Sequence, residues 1–212
     1  MKLWIATICL WATVFTIDAK PKPLVEVHIV SAQAGIDIRT KKVIHLIGPI
    51  RRASIREAAR EHIETLSIPG DRVVIIDSGG GEVERGQTLI DALMIERSMG
   101  VRIVCVAVNH AHSMAFNTLS FCDVRLATAG TTMVAHKIEF GRVLPDIRTT
   151  AKNLRMLARE LDEVDERYCV QNAKMLHLDR KHYDMYADHE NEWTAEQLLA
   201  MQYLNGIATV GK

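Results

Sequence analysis

Apolar and polar positions along the chain change period several times, and each change marks an element. Residues 20–40 read as an extended lead-in that contains the alternating Val25-Glu-Val-His-Ile29. Lys41-Lys-Val-Ile-His-Leu-Ile47 predicts a strand, stopped by Gly48-Pro49. Ser54 with Glu57 three residues later forms a capping-box pattern, and the helix it starts is expected to reach about Leu66. After the Pro69-Gly70-Asp71 turn, Val73-Val-Ile-Ile-Asp77 is a short β-branched run between turn signals. Such a run fits a strand buried on both faces.

The Gly79-Gly80-Gly81 turn follows, then a helix over 83–99 on which Val83, Gly86, Ile90 and Leu93 share a face. A second buried strand is expected over 101–108, a helix over 113–121, and short strands at 124–127 and 132–135 around Gly130. Strands alternating with helices imply βαβ units and an α/β fold with a largely parallel sheet. From about Asp146 to Leu176 a long amphipathic segment follows a three-four rhythm broken only at Asp165. Such a helix serves as a lid, as a contact with another subunit, or as cover for the sheet. A polar stretch, 179–192, leads to a final helix from about Thr194.

The N-terminus stands apart. Met1-Lys2 is followed by an apolar run from Leu3 to Ile17 and then Asp18-Ala19-Lys20-Pro21. A positive start, a short apolar stretch and a small residue read as an export signal spanning 1–19, cleaved near Ala19. An uncleaved anchor or a first helix of the domain are the other readings. The mature chain, 20–212, is then one domain, and its expected location is periplasmic or secreted.

With 212 residues and 48% apolar content, the chain can build a sizeable core. The formal charge is zero, which argues against a nucleic-acid partner. Past Cys9 the cysteines are Cys105, Cys122 and Cys169. A disulfide between two of them suits an oxidising compartment, but the pair is not identified. No metal-type cysteine spacing exists. His110 and His112 face the same way on an extended segment, a weak metal signal without a third ligand. No metal or cofactor is expected.

The chemistry gathers around Ser113. It lies in Val106-Ala-Val-Asn-His-Ala-His-Ser-Met-Ala115, where an apolar strand passes into a helix. A serine hydroxyl needs a base and waiting oxyanion donors before it becomes a useful nucleophile. A strand-to-helix serine can serve as an exposed nucleophile or as a helix N-cap, and these residues alone favour the cap. The Gly-x-Ser-x-Gly elbow is absent. The glycine turn lets the backbone approach a ligand, yet it is neither a dinucleotide fingerprint nor a phosphate-binding loop. His136, after the strand at 132–135, reads as a general base or as an ordinary polar strand end.

Taken in order, Ile75-Ile-Asp-Ser-Gly-Gly-Gly81, Gly86 with Asp91, Ala111-His-Ser-Met-Ala115 and Met133-Val-Ala-His136 resemble the Clp protease proteolytic-subunit family of the wider Clp/crotonase fold. The resemblance covers about Lys41 to Gly206. It implies repeated ββα units, a protruding handle helix at about 146–176, and homo-oligomeric assembly. It implies Ser113 as nucleophile, His136 as base, and the N–H groups of Gly81 and Met114 as the oxyanion hole, with Gly80 shaping the turn. The family's orienting acid falls at Glu190, with Asp188 as the alternative.

Three departures stand out. Gly79 replaces the family's proline, His112 replaces a small residue, and Lys137 replaces a glutamine. An exported member would also lack the ATP-driven unfoldase that feeds cytosolic relatives. The expected activity is therefore unassisted serine endopeptidase cleavage of peptides or unfolded chains, with no membrane association after signal removal. A lysine base like that of the signal-peptide peptidase A relatives is not evident, so His136 is kept. Two rival readings are a catalytically inactive oligomeric scaffold and an acyl-CoA enzyme of the crotonase branch.

Overall fold

The computed structural model describes residues 26–138 and 150–211. The proposed export signal, residues 146–149 of the expected long helix and the Asp146 at its start lie outside them. The elements run β1 (Val27–Ser31), β2 (Ile36–Thr40), β3 (Val43–Ile47), α1 (Arg52–Glu64), β4 (Arg72–Ser78), α2 (Val83–Ser98), β5 (Ile103–His112), α3 (Met114–Ser120), β6 (Val124–Ala127) and β7 (Thr132–Val134). Then come α4 (Ala151–Met175), α5 (Arg180–Asp188), β8 (Glu192–Thr194), α6 (Ala195–Ala200), β9 (Gly206–Ile207) and β10 (Thr209–Gly211).

The fold is α/β. A seven-stranded, mostly parallel sheet has the order β3-β4-β5-β6-β9, with β7 pairing β5, and β8 pairing β7 antiparallel. A three-stranded antiparallel sheet, β10-β1-β2, covers one face. Strand alternation divides the core in two. Val73, Ile75, Val104 and Val106 face the small sheet and pack with Val27, Ile29 and Ile36. Val74, Ile76, Cys105 and Ala107 face the helices and pack with Ile55, Leu89, Ile90 and Phe116. Strands filled on both faces explain why these runs show no polar alternation.

Several expectations change. The lead-in is a hairpin, β1–β2, with Gly35 at φ 62° in its turn. Ser54 is not the N-cap of α1. The N-cap is Arg51, three residues earlier, and the Ser54 hydroxyl accepts the Arg51 N–H at 2.9 Å. Glu57 pairs with Arg60 instead. The polar stretch 179–192 contains α5, whose N-cap Asp179 accepts the His182 N–H at 2.9 Å. Polar composition hid this helix because its inward side needs only Tyr183 and Ala187.

The long helix α4 is present from Ala151, capped by the Thr150 hydroxyl. Its buried residues are Tyr168, Cys169, Asn172 and Ala173, all near its C-terminal end. Nothing from Ala151 to Arg167 is buried, and Leu154 and Met156 are exposed.

Candidate active site

The site is built where β4, β5 and β7 end. β5 changes neighbour along its length: Val104–Ala107 pair with β6, whereas His110–His112 pair with β7. Its register with β4 also shifts, from Ile76 opposite Ala107 to Ser78 opposite Ala111. One residue of β4, Asp77, therefore faces three of β5, with Asn109 at φ 60°. Irregular pairing of this kind re-aims side chains and is frequent beside active sites. Two extra residues preserve the alternation of faces, because that alternation has a period of two.

Ser113 comes next, at φ 55° and ψ −122°. L-residues rarely adopt this conformation, and holding it costs about 1–3 kcal/mol. Its hydroxyl makes no N-cap bond, so the cap reading does not hold in this structure. The backbone is pinned instead: its N–H donates to the Val134 carbonyl at 2.7 Å, and its own carbonyl accepts the Asn117 N–H at 3.0 Å. Ala111 and Ala115 flank the turn two residues either side, both fully buried. The geometry is a strained strand-to-helix elbow. Small alanines occupy the places where the elbow pattern has glycines, and that was the readable signal the glycine-only pattern missed.

The glycine loop meets this elbow. Gly80 has φ 87°, and a Cβ there would lie 2.6 Å from Ser113 Cβ, 2.7 Å from the His112 oxygen and 3.0 Å from the Met114 nitrogen. Only a residue without a side chain allows that approach. Gly81, at φ 147°, forms a parallel bridge with Ile50. The Ile50 N–H donates to the Gly80 carbonyl at 2.8 Å, and the Glu82 N–H donates to the Ile50 carbonyl at 2.9 Å. In such a bridge the central residue's own N–H turns away from its partner. Ile50 extends β3, so the Gly81 N–H turns toward the β5 side of β4. The Met114 N–H, at the first helical position, has no carbonyl within α3 to take it.

His136 follows β7 by two residues and is partly buried. Its Nδ1 lies 2.6 Å from the Lys137 carbonyl. A carbonyl only accepts, so Nδ1 carries a proton, and in the neutral ring Nε2 holds the lone pair. That is the tautomer a general base requires. The next residues are anchored from two helices. Lys137 Nζ is 2.8 Å from Asp188 Oδ1 and 3.9 Å from Asp184, and the hydrogen bond to Asp188 holds the ammonium above its ordinary range. The Ile138 N–H donates to Asp165 of α4 at 2.8 Å. The one residue that breaks the apolar rhythm of the long helix thus holds the segment that carries His136.

Neither expected acid reaches the imidazole. Asp188 is occupied by Lys137. Glu190, exposed and at φ 49°, forms no hydrogen bond or ion pair with a described residue. The antiparallel β7–β8 register, Val134 opposite Glu192, would set Glu190 opposite His136 if it continued, but β8 begins at Glu192. Among the described residues no hydrogen bond joins the Ser113 hydroxyl to His136.

The surroundings hold pairs that the residue pattern did not announce. Asn109 Nδ2 donates to Asp77 Oδ2 at 2.8 Å, and His110 Nδ1 is 2.9 Å from Asp77 Oδ1. His112 Nε2 is 2.9 Å from the Thr132 hydroxyl. Burial, and then the charge of His110, lower the His112 imidazole below its ordinary range against a smaller opposing effect of Glu192. Both histidines of the suspected metal pair are thus engaged. No group of three metal-ligating side chains occurs among the described residues.

Cys105 and Cys122 form a disulfide that ties β5 to the chain just past α3. Cys169 is free, and burial pushes its thiol up to about 12, which makes it a poor nucleophile. Among the described residues no helix is long and apolar enough to cross a membrane. No known protein-family model matches the chain, and a search of curated proteins finds no match.

Proposed function

We propose that this chain is an exported serine endopeptidase of the Clp type, acting on peptides or unfolded chains. The observation that carries the reading is the contact of Gly80 with the strained Ser113 and the Met114 nitrogen. A left-handed glycine loop pressed against a serine elbow concentrates backbone donors beside one hydroxyl, as acyl transfer needs. In the proposed mechanism the Ser113 hydroxyl attacks the scissile carbonyl while His136 Nε2 takes its proton. The N–H groups of Gly81 and Met114 receive the oxyanion, and Gly80 keeps the loop against the elbow. The imidazolium then gives its proton to the leaving amine. Water, deprotonated by the same nitrogen, releases the acyl group from Ser113.

The Lys137 carbonyl fills the orienting place in this scheme. Glu190 or Asp188 could take it over only after β8 lengthens toward His136. The finer assignment to the Clp/crotonase fold belongs to the same proposal. It is supported by the unburied first part of α4, which suits a handle between subunits, and by exposed Leu154 and Met156 on it. The Cys105–Cys122 disulfide supports an oxidising, extracytoplasmic location.

The test is labelling with a fluorophosphonate probe, on the mature chain beside Ser113→Ala, with particle size measured on the same samples. Wild type should label and the variant should lose at least about a thousand-fold in rate. Labelling that persists in Ser113→Ala would place the nucleophile elsewhere. The missing Ser113–His136 hydrogen bond favours a second reading, an inactive scaffold. Wild-type protein that assembles yet ignores the probe would support that scaffold and reject hydrolysis.

A further inference from the structure

Three consecutive glycines are a poor way to hold an oxyanion donor still, because glycine has the widest backbone freedom of any residue. The loop is braced on its β3 side. The Gly48 N–H donates to the Asp77 carbonyl at 2.8 Å, and the Ser78 hydroxyl donates to the Gly48 carbonyl at 2.6 Å. Ser78 Oγ in turn accepts the Gly80 N–H at 3.1 Å. These bonds fix the loop relative to β3. They do nothing to fix it relative to β5, which carries the nucleophile.

Across to β5 the backbone pairs only at Ser78–Ala111 beyond the register shift, and the side-chain link that spans the shift is a carboxylate. Asp77 is the single β4 residue opposite the three-residue excursion Val108-Asn109-His110. One of its oxygens accepts from Asn109 Nδ2 at 2.8 Å. The other lies 2.9 Å from His110 Nδ1, an ion-pair distance without hydrogen-bond alignment, and that oxygen is buried without another donor. The excursion itself needs support, since Asn109 sits at φ 60°. His110 also packs its ring 5.3 Å from that of His112, the residue before Ser113. Asp77 therefore stands two residues before the glycine loop and grips the chain three and four residues before the elbow.

We propose that Asp77 is a positioning residue. Through Asn109 and His110 it sets the distance between the glycine loop and the Ser113 elbow, and so aligns the Gly81 N–H with the Ser113 hydroxyl. This rests on the proposed serine peptidase reading for its catalytic consequence, but the clamp itself is a statement about two segments of backbone. Its side chain touches no reacting atom. Its loss changes how often the donors and the hydroxyl are aligned, and leaves the affinity for the probe unaltered.

The experiment compares wild type, Asp77→Ala, Asp77→Asn and Asn109→Gly by fluorophosphonate labelling kinetics and by amide hydrogen exchange. A displacement of about an ångström in a reacting geometry costs on the order of a hundred-fold in rate. Asp77→Ala should lower the maximal labelling rate by roughly ten- to a hundred-fold with the probe's half-saturating concentration unchanged. Asp77→Asn retains a carbonyl for Asn109 and should recover most of that loss. Asn109→Gly keeps the positive φ but removes the amide, and should fall between them. Exchange of the segments 79–82 and 109–114 should rise together by about ten-fold in Asp77→Ala while β3 and β6 stay protected.

Each failure reads separately. Wild type that never labels refutes the peptidase reading, and the exchange data still decide the clamp. Labelling of Asp77→Ala at the wild-type rate, or exchange unchanged in the two segments, overturns the clamp alone. A raised half-saturating concentration with an unchanged maximal rate overturns it too, since Asp77 would then act on binding.

Discussion

The two ends of the parallel sheet are built to opposite rules. Where the strands begin, Arg72 and Glu96 are buried and joined by two bonds, Nε to Oε2 at 2.7 Å and Nη2 to Oε1 at 2.8 Å. Thr65 accepts a further Arg72 N–H, and Lys42 lies 3.6 Å from Glu96 while donating to the Gly70 carbonyl at 3.3 Å. Where the strands end, the ionisable pairs are half-exposed, and Gly80, Asn109 and Ser113 all sit at positive φ. One end satisfies dehydrated charge and adopts positive φ only at glycines, Gly70 and Gly100, where it costs little. The other carries strain at the non-glycine residues Asn109 and Ser113, beside the Gly81 and Met114 N–H groups, which no described residue accepts. Strain of that kind persists only where surrounding structure over-determines it, and it clusters at functional sites.

The largest effect should come from the satisfied end. Glu96→Ala leaves Arg72 and Lys42 buried beside no anion. Breaking a buried pair by removing one partner costs about 3–5 kcal/mol. Urea unfolding should show that loss in the midpoint, while labelling of Ser113 by the fluorophosphonate probe in the folded fraction is unchanged. A stability loss under about 1 kcal/mol, the value of an exposed pair, would remove the contrast between the two ends.

The strained end should answer in the opposite currency. Gly80→Ala drives a methyl into Ser113 Cβ and the His112 carbonyl. Displacing the loop costs at least one oxyanion donor, about 100- to 1000-fold in labelling rate. Gly130→Ala is the control, for Gly130 has φ 77° and nothing within 4 Å of a built Cβ. Both variants carry the same kind of backbone penalty, about 1 kcal/mol in thermal stability. Equal labelling of the two would mean that the contact at Gly80 is structural.

Much of the stable end and little of the strained end could be read along the chain. The apolar runs at 73–76 and 103–107 declare buried strands because both of their faces are filled. Arg72 and Glu96 do not declare themselves, since a buried ion pair 24 residues apart looks like two surface charges until the strands are paired. At the candidate site, the approach of the glycine loop to Ser113 could be expected from local spacing and resemblance, whereas no described contact joins Ser113 to His136. The meeting of Asp77, Asn109 and His110 could not be expected, because they meet only through a register shift between β4 and β5. The Glu190 slot failed for a related reason. Sequence order brings it toward His136, but three residues of paired β8 do not extend far enough to close the contact.

The smallest effect concerns the one weakness of the buried network. His62 Nε2 lies 3.4 Å from Glu96 Oε2 without hydrogen-bond alignment, and no other partner satisfies it. Burial, then the charges of Arg72 and Lys42, lower the imidazole below its ordinary value of 6.5 despite the pull of Glu96. Because the folded state resists protonation, the unfolded chain takes up the proton first as pH falls through 6.5. Stability therefore declines from there down to the folded-state value, and this contribution is level below it. Glu96 shifts within the same network. Burial raises its carboxyl, but the Arg72 bonds and the charges of Arg72, Lys42 and His62 outweigh burial and hold it below 4.5. Its stabilisation is present above that ordinary value and is lost as pH falls through the lower folded one. Urea midpoints followed downward from neutral pH should thus decline in two stages. His62→Gln should make the first stage shallower, leaving the part that the likewise lowered His112 contributes, and should keep most of the second, which rests on Arg72 and Lys42. A His62→Gln protein with the same decline below 6.5 as wild type would show that another histidine, and not the buried network, senses mild acid.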